Sequence, residues 1–282
     1  MKKNGAKAIV QIHHGGAQAL PELTPDGDVV APSAISLKSF GQQEEHDARE
    51  MTAEEIEQTI RDFGEATRRA IEAGFDGVEI HGANHYLIHQ FVSPYYNRRN
   101  DVWADNYKFP VAVIDEVIKA KKAHANDDFI IGYRLSPEEA ESPGISMEIT
   151  EELIHQIANK PLDYIHVSLM DVNSVTREGK YKGENRLKLI HQWINGRMPL
   201  IGIGSVFTAE DALNAVENIG VEFVALGREI LLDYDFVAKI KEGREDEIIN
   251  AFDPNREDQH YLTPNLWEQF NQGFYPLPRK DK

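Results

Sequence analysis

The sequence contains no cysteine, which excludes disulfide bonds, thiolate metal sites, iron–sulfur clusters and a cysteine nucleophile. Basic residues are also scarce, with 30 Lys and Arg against 47 Asp and Glu, and the formal net charge is −17. Such an acidic chain repels phosphate backbones, so we expect no nucleic-acid partner. No stretch approaches the about 18 apolar residues of a membrane span. We therefore predict a cytoplasmic protein that does not bind membranes.

Short apolar strands alternate with helices along the whole chain. The predicted strands cover residues 8–12, 75–80, 129–135, 164–169, 200–203 and 223–226. Continuous apolar strands that alternate with helices are typical of a parallel sheet that is covered on both faces. Because no linker or change of composition interrupts the pattern, we predict a single α/β domain over residues 1–282.

The polar residues of these strands favour a TIM (β/α)8-type barrel over an open sheet. They collect at the carboxyl end of each strand, where barrel enzymes keep their active sites. The last two strands end at Gly204 and Gly227, as in the phosphate sites commonly built after the final barrel strands. No G-x-G-x-x-G motif opens an early helix, which argues against a dinucleotide-binding Rossmann fold.

The stretch 74–99 contains the densest group of candidate catalytic residues. His81, Asn84 and Tyr86 follow a buried strand at its turn into a helix. Two hydrogen-bond donors aimed at one oxygen would polarise a carbonyl group, a role open to His81 and Asn84. A phenol with a pKa of about 10 stays protonated at neutral pH and can act as a general acid. The alternative is that His81 and Asn84 only cap the following helix.

Alternation along the strands places further polar residues on shared faces. Gln11 lies on the same face as His13, and Glu79 on the same face as His81. An inward-facing Arg134 needs a partner or an anionic ligand, because an unpaired buried charge is costly. Either an ion pair with Glu79 or a bound ligand would meet this need.

Two more groups of residues suggest ligand sites. His81, His85 and His89 have helical spacing, but His81 belongs to the strand end and no carboxylate completes a metal site, so we predict none. Gly204-Ser205 and Gly227-Arg228 end neighbouring strands, where bare backbone N–H groups and a guanidinium would bind a phosphate.

Taken together, these motifs resemble the Old Yellow Enzyme family of FMN-dependent NAD(P)H oxidoreductases, which includes the ene-reductases. The resemblance covers nearly the whole chain. Its motifs are QIHHGG from Gln11, APSAI from Ala31, GFDGVEIHGANHYLIHQFVSPYYNRRND from Gly74, GYRLSP from Gly132, GIGSVFTAEDA from Gly202 and FVALGREIL from Phe223.

The resemblance implies a role for each candidate residue and a substrate of the enone type. Reduced FMN, recharged by NADH or NADPH, would deliver hydride to the β-carbon of an activated alkene while Tyr86 protonates the α-carbon. By position, Gln11 and Arg134 would contact the flavin ring; Gly204, Ser205, Gly227 and Arg228 would bind the FMN phosphate; His81 and Asn84 would bind the substrate carbonyl; and His13 would line the substrate pocket.

The chain also departs from the family pattern. The position between Asn84 and Tyr86, commonly glycine in the family, is His85. The family has two strand–helix units ahead of the QIHHGG motif, so we expect an incomplete barrel with strands 3–8. Two other interpretations stay open, a non-catalytic remnant of the family and a flavin-free phosphate-binding barrel lyase or isomerase. Assembly into a homo-oligomer is also left open.

Overall fold

The computed structural model describes residues 2–42, 44–260, 262–274 and 276–280, which fall into two compact units. The first unit comprises Met1–Ser168 and Val175–Leu200, and the second comprises Leu169–Ser174 and Ile201–Lys282. Residues 1, 281 and 282, the ends of the predicted domain 1–282, lie outside the described residues. The assignment of one domain stays a prediction.

The first unit contains a parallel sheet with helices between its strands. Its strands are β1 (Ile9–Ile12), β2 (Val30–Ala31), β3 (Ile35–Leu37), β4 (His46–Glu50), β5 (Gly77–Gly82), β6 (Ile130–Leu135) and β7 (Tyr164–Val167). Its helices are α1 (Ala53–Glu72), α2 (Leu87–Val92), α3 (Lys108–His124), α4 (Met147–Ile157) and α5 (Arg186–Ile194). Strands β1, β5, β6 and β7 pair in that order, all parallel. The predicted alternation is confirmed.

The strand register sets the layout of the polar residues on one face of this sheet. Gln11 pairs with Glu79. Two residues further along β5, His81 pairs with Arg134. Arg134 in turn pairs with His166 on β7. Because residues two apart share a face, these five side chains lie on one side of the sheet.

Helix α1 illustrates how the sequence determines a boundary. The Thr52 side chain accepts a hydrogen bond from the Glu55 backbone, and the Glu55 side chain accepts one from the Thr52 backbone. This capping box satisfies two backbone donors at the helix start, and such a cap stabilises a helix by about 1 kcal/mol. The buried residues Ile56, Phe63 and Thr67 then form the face that points away from solvent.

The long polar connection from Ala17 to Met51 contains a small sheet of its own. Strand β4 pairs in parallel with β2 and antiparallel with β3. Ala17, Val29, Ala31 and Ala48 form its buried core. Such small side chains give a weak hydrophobic pattern, which is why the sheet was not predicted.

The second unit contains strands β8 (Leu200–Ile203) and β9 (Phe223–Ala225) and helices α6 (Ala209–Leu213), α7 (Arg228–Leu232), α8 (Phe236–Lys241) and α9 (Pro264–Asn271). Strands β8 and β9 are parallel, with Ile203 paired to Ala225. A capping box of Thr208 and Asp211 begins α6. The chain continues past α6 as a π-helix, Asn214–Ile219. In the described part of the chain, no helix is long and apolar enough to cross a bilayer.

Candidate active site

Glu79 is a buried carboxylate on the polar face of the first unit's sheet. Its Oε1 accepts a hydrogen bond from the Gln11 side chain, and its Oε2 contacts the Tyr164 hydroxyl and His166 Nδ1 at 3.0 Å each. Burial by itself would raise the pKa of Glu79, but the bond and charge of His166, with the bonds from Gln11 and Tyr164, hold that pKa below its usual value. Glu79 is therefore a carboxylate that accepts bonds from three neighbours.

Arg134 does not form the ion pair with Glu79 that one interpretation predicted. Its Nη2 donates to Ser168 Oγ at 3.0 Å, and its buried Nε has no hydrogen-bond partner within the described residues. Burial lowers the pKa of the Arg134 guanidinium, while the charge of Glu79 opposes that change. Glu79 instead bonds Gln11, Tyr164 and His166. The half-buried Arg134 guanidinium therefore uses only part of its hydrogen-bonding capacity within the described residues.

The aromatic rings of His81, His13 and Tyr86 form a cluster, and His81 lies two residues after Glu79 on β5. The ring centroid of Tyr86 lies 5.1 Å from that of His13 and 5.2 Å from that of His81, and the two histidine rings are 5.9 Å apart. Burial, followed by the positive charges of Arg134 and His13, lowers the pKa of His81 to about 4. His81 is therefore a neutral imidazole at pH 7, able to donate one hydrogen bond.

Asn84 is oriented by two serines that the sequence analysis missed. Its carboxamide Oδ1 accepts hydrogen bonds from Ser168 Oγ at 2.9 Å and from Ser136 Oγ at 3.4 Å. With the oxygen held in this way, the two N–H donors of the amide point away from the serines. Because Arg134 also bonds Ser168, one hydroxyl connects the predicted flavin-binding residue to the predicted carbonyl-binding residue.

The alternative that His81 and Asn84 only cap the following helix is wrong. Helix α2 has Tyr86 at its N-cap, and no side chain caps it by a hydrogen bond. His81 belongs to β5, and the Asn84 side chain is engaged by serines. Both side chains are therefore free of a capping role.

The histidine cluster also differs from the prediction, because a carboxylate does complete it. His85, His89 and Glu139 each offer a ligand atom within 4.8 Å of the others, whereas His81 is not part of the group. Glu139 lies after β6, 50 residues from His89, so no local sequence pattern indicated it. Burial would raise the pKa of Glu139, but bonds to His89 and Ser93 keep it low. Burial lowers the pKa of His85.

The second unit brings the four predicted phosphate-binding residues together. Arg228 Nη2 lies 3.3 Å from Ser205 Oγ and 3.2 Å from the Met170 carbonyl oxygen. Gly204 has φ +127°, and a Cβ there would lie 2.5 Å from the backbone nitrogen of Asp171, so only glycine fits. A Cβ at Gly227 would meet no atom of the described residues within 4 Å, so there is open space at Gly227.

Both groups of residues fit the chemistry of FMN. In the first unit, Arg134 Nε and one ring nitrogen each of His81 and His166 are buried without a hydrogen-bond partner within the described residues. Such atoms are costly unless a ligand satisfies them, and the edge of a flavin ring offers suitable partners. In the second unit, a guanidinium and a serine hydroxyl beside open space fit a phosphate.

A buried carboxyl in the second unit gives a stability prediction. Both side-chain oxygens of Glu229 are buried without a partner in the described part of the chain, and burial with the nearby charges of Asp233 and Asp211 raises its pKa to about 8. A carboxyl group whose pKa is raised by folding contributes to stability while it stays protonated. For Glu229 this contribution is complete below the unfolded-state pKa of about 4.5 and is lost as the pH rises through about 8. Relative to the wild type, Glu229→Gln should therefore gain roughly 4 kcal/mol of stability between pH 5 and pH 9.

Urea unfolding at both pH values measures this difference. Glu217→Gln, which changes an exposed glutamate, is the matched control and should shift neither midpoint. If wild type and Glu229→Gln show the same change between pH 5 and pH 9, Glu229 does not carry a raised pKa.

Comparison with known proteins identifies the family. Residues 1–247 match the model of the FMN-dependent "NADH:flavin oxidoreductase / NADH oxidase family". The chain is 48% identical over 282 residues to "Probable NADH-dependent flavin oxidoreductase YqiG" of Bacillus subtilis, covering 98% of this chain and 74% of that protein. It is 39% identical over 277 residues to "NADH:fumarate oxidoreductase" of Klebsiella pneumoniae, covering 95% of this chain and 29% of that protein.

The solved structures agree on the fold. The old yellow enzyme homologue of Zymomonas mobilis matches with a TM-score of 0.70 and 21% identity over 93% of this chain and 73% of that chain. This likeness confirms the α/β fold of the TIM-barrel type. The family match also confirms FMN as the cofactor and a nicotinamide as the reductant, with small molecules as substrates. The chain belongs to the Old Yellow Enzyme family of NADH-dependent flavin oxidoreductases.

Proposed function

We propose that this chain reduces the C=C bond of α,β-unsaturated carbonyl compounds, with Tyr86 as the proton donor. The observation that carries the proposal is the placement of Tyr86 against His81 and His13, with ring centroids 5.2 Å and 5.1 Å away. An acid beside a carbonyl-binding residue is the arrangement that protonation of the α-carbon of an enone requires.

His81 and Asn84 serve as the carbonyl clamp. His81 is neutral, so it donates a hydrogen bond without itself carrying charge, and the Asn84 amide presents its N–H groups because its oxygen is held by Ser168 and Ser136. Donors held in place before the reaction stabilise negative charge as it develops on the carbonyl oxygen, by about 3 kcal/mol for one donor. His13 lines the same pocket through its contact with Tyr86.

The family resemblance supplies the cofactor-binding roles in this proposal. Arg134 and Gln11 would hold the flavin ring, and the positive charge of Arg134 would favour a reduced flavin that carries negative charge. Gly204, Ser205, Gly227 and Arg228 hold the phosphate. When bound, FMN would supply the hydride, and NADH or NADPH would supply its electrons. The protein residues orient the alkene, polarise its carbonyl and provide the proton.

Steady-state kinetics with paired substrates tests the proposal. Purified protein with FMN and NADH is given cyclohexenone or cyclohexene, and products are separated by gas chromatography. Cyclohexanone should form with matching NADH consumption, and cyclohexene should not react because it offers no carbonyl to the clamp. NADH consumption without a saturated ketone would contradict the proposed reaction, and activity from a protein without flavin would favour the lyase or isomerase interpretation.

A further inference from the structure

His85, His89 and Glu139 lie together beside the turn that carries Asn84 and Tyr86. The Nε2 atom of His89 lies 2.7 Å from Glu139 Oε2, and the Nδ1 atom of His85 lies 3.7 Å from the same oxygen. The side chains of His89 and Glu139 are fully buried, and that of His85 is 25% exposed. An ion would therefore reach this cluster from the side of His85.

We propose that His85, His89 and Glu139 form a binding site for a divalent transition metal of the zinc type. Two imidazoles and one carboxylate are a common ligand set for such ions, with an open position for water. Ligands about 2.0 to 2.1 Å from zinc at a tetrahedral angle are about 3.3 Å apart. The separations of 2.7 Å and 3.7 Å from Glu139 Oε2 lie on either side of this value, and all three ligand atoms lie within 4.8 Å of one another.

The contacts around the cluster favour a metal site over a simple hydrogen-bonded pair. At 3.7 Å, His85 Nδ1 is too far from Glu139 for a hydrogen bond, and this buried nitrogen has no partner within the described residues. Glu139 Oε1, by contrast, is held by the Ser93 hydroxyl and by the Ile145 backbone N–H at 2.8 Å. Carboxylate ligands are usually oriented by such outer contacts.

Two further features support the assignment. Glu141 places a second negative charge near His85, and its buried Oε2 has no hydrogen-bond partner in the part of the chain that is described. His85 also has φ +60°, in the left-handed region where glycine is favoured. A histidine at such a position is more strained than glycine, and strain of this kind is concentrated at functional sites.

The ion would restrain the turn between β5 and α2. His85 is bonded through the backbone to both Asn84 and Tyr86, so coordination at His85 limits the motion of the carbonyl clamp and the acid. The binding site itself depends on no step of the proposed reaction, and it is tested by metal binding alone.

Isothermal titration of the chelator-treated protein with Zn²⁺ tests this inference. We expect one ion per chain, a rise in melting temperature on addition of Zn²⁺, and a ligand-field spectrum when Co²⁺ replaces it. His85→Asn should weaken Zn²⁺ binding by at least about tenfold, as loss of a ligand exceeds the 10- to 100-fold effect of an outer contact. His85→Gly should do the same, and its backbone suits φ +60°.

His155→Asn, which changes an exposed histidine on α4, is the matched control and should bind Zn²⁺ like the wild type. Circular dichroism of the metal-free variants shows whether each one is folded. Absence of Zn²⁺ binding by the wild type would overturn the inference, and so would equal binding by the wild type and both folded His85 variants. In the latter case the His89–Glu139 contact is only a structural hydrogen bond.

Discussion

Tyr86→Phe is expected to slow reoxidation of the reduced flavin by an enone by at least about 100-fold, the usual contribution of a general acid. The substitution keeps the ring that packs against His13 and His81 and removes only the hydroxyl. Reduction of the flavin by NADH needs no proton from this residue, so its rate should change by less than about twofold. Anaerobic stopped-flow absorbance separates the two half-reactions.

A matched control for this variant is Tyr234→Phe, which removes the hydroxyl of an exposed tyrosine and should leave both rates unchanged. Equal losses in the two half-reactions of Tyr86→Phe would point to a disturbed flavin site. An unchanged reoxidation rate would mean that the proton comes from solvent or from another residue.

Glu79→Gln is expected to lower the free energy of unfolding by roughly 4 kcal/mol, the range for breaking a buried charged network. The carboxylate accepts from Gln11, Tyr164 and His166 at once. The amide offers one oxygen and a donor group, so at least one of these neighbours would face another donor. Urea unfolding at pH 7 measures the loss.

The pH dependence gives a second readout for Glu79. Its folded pKa is lowered, so its contribution to stability is complete above the unfolded value of about 4.5 and is lost as the pH falls through the folded pKa. The difference in the free energy of unfolding between wild type and Glu79→Gln should therefore become smaller at acidic pH. Glu54→Gln, at an exposed position of α1, is the control. A Glu79→Gln variant as stable as this control would show that the network contributes little.

The fold was largely predictable because its signals are local. The apolar strands and the capping boxes at Thr52 and Thr208 depend on residues a few positions apart. Helix α7 was not predicted because it spans only five residues, Arg228–Leu232, and directly follows a strand end. The small sheet around Ala48 was missed for a related reason, since its short strands are defined by pairing with each other.

The candidate site was predictable in its residue types and less so in its contacts. His81 and Tyr86 come from one continuous stretch, so the pattern indicated both. Ser168 and Glu139 reach Asn84 and His89 from positions 84 and 50 residues away in the sequence. Contacts of this kind depend on strand register and loop placement, which no local pattern encodes. The alternation of Tyr164, His166 and Ser168 along β7 and its end was a signal that these three side chains share the polar face of the sheet.

An anaerobic titration of the purified wild-type protein, loaded with FMN, tests the central claim most directly. NADH should bleach the flavin absorbance, and one equivalent of cyclohexenone should then restore it with formation of cyclohexanone. This result would establish that electrons pass from the nicotinamide through the flavin to an activated alkene. A flavin that NADH bleaches but that cyclohexenone leaves reduced would contradict the account. The proposed carbonyl clamp and proton donor would then not promote reduction of an activated alkene.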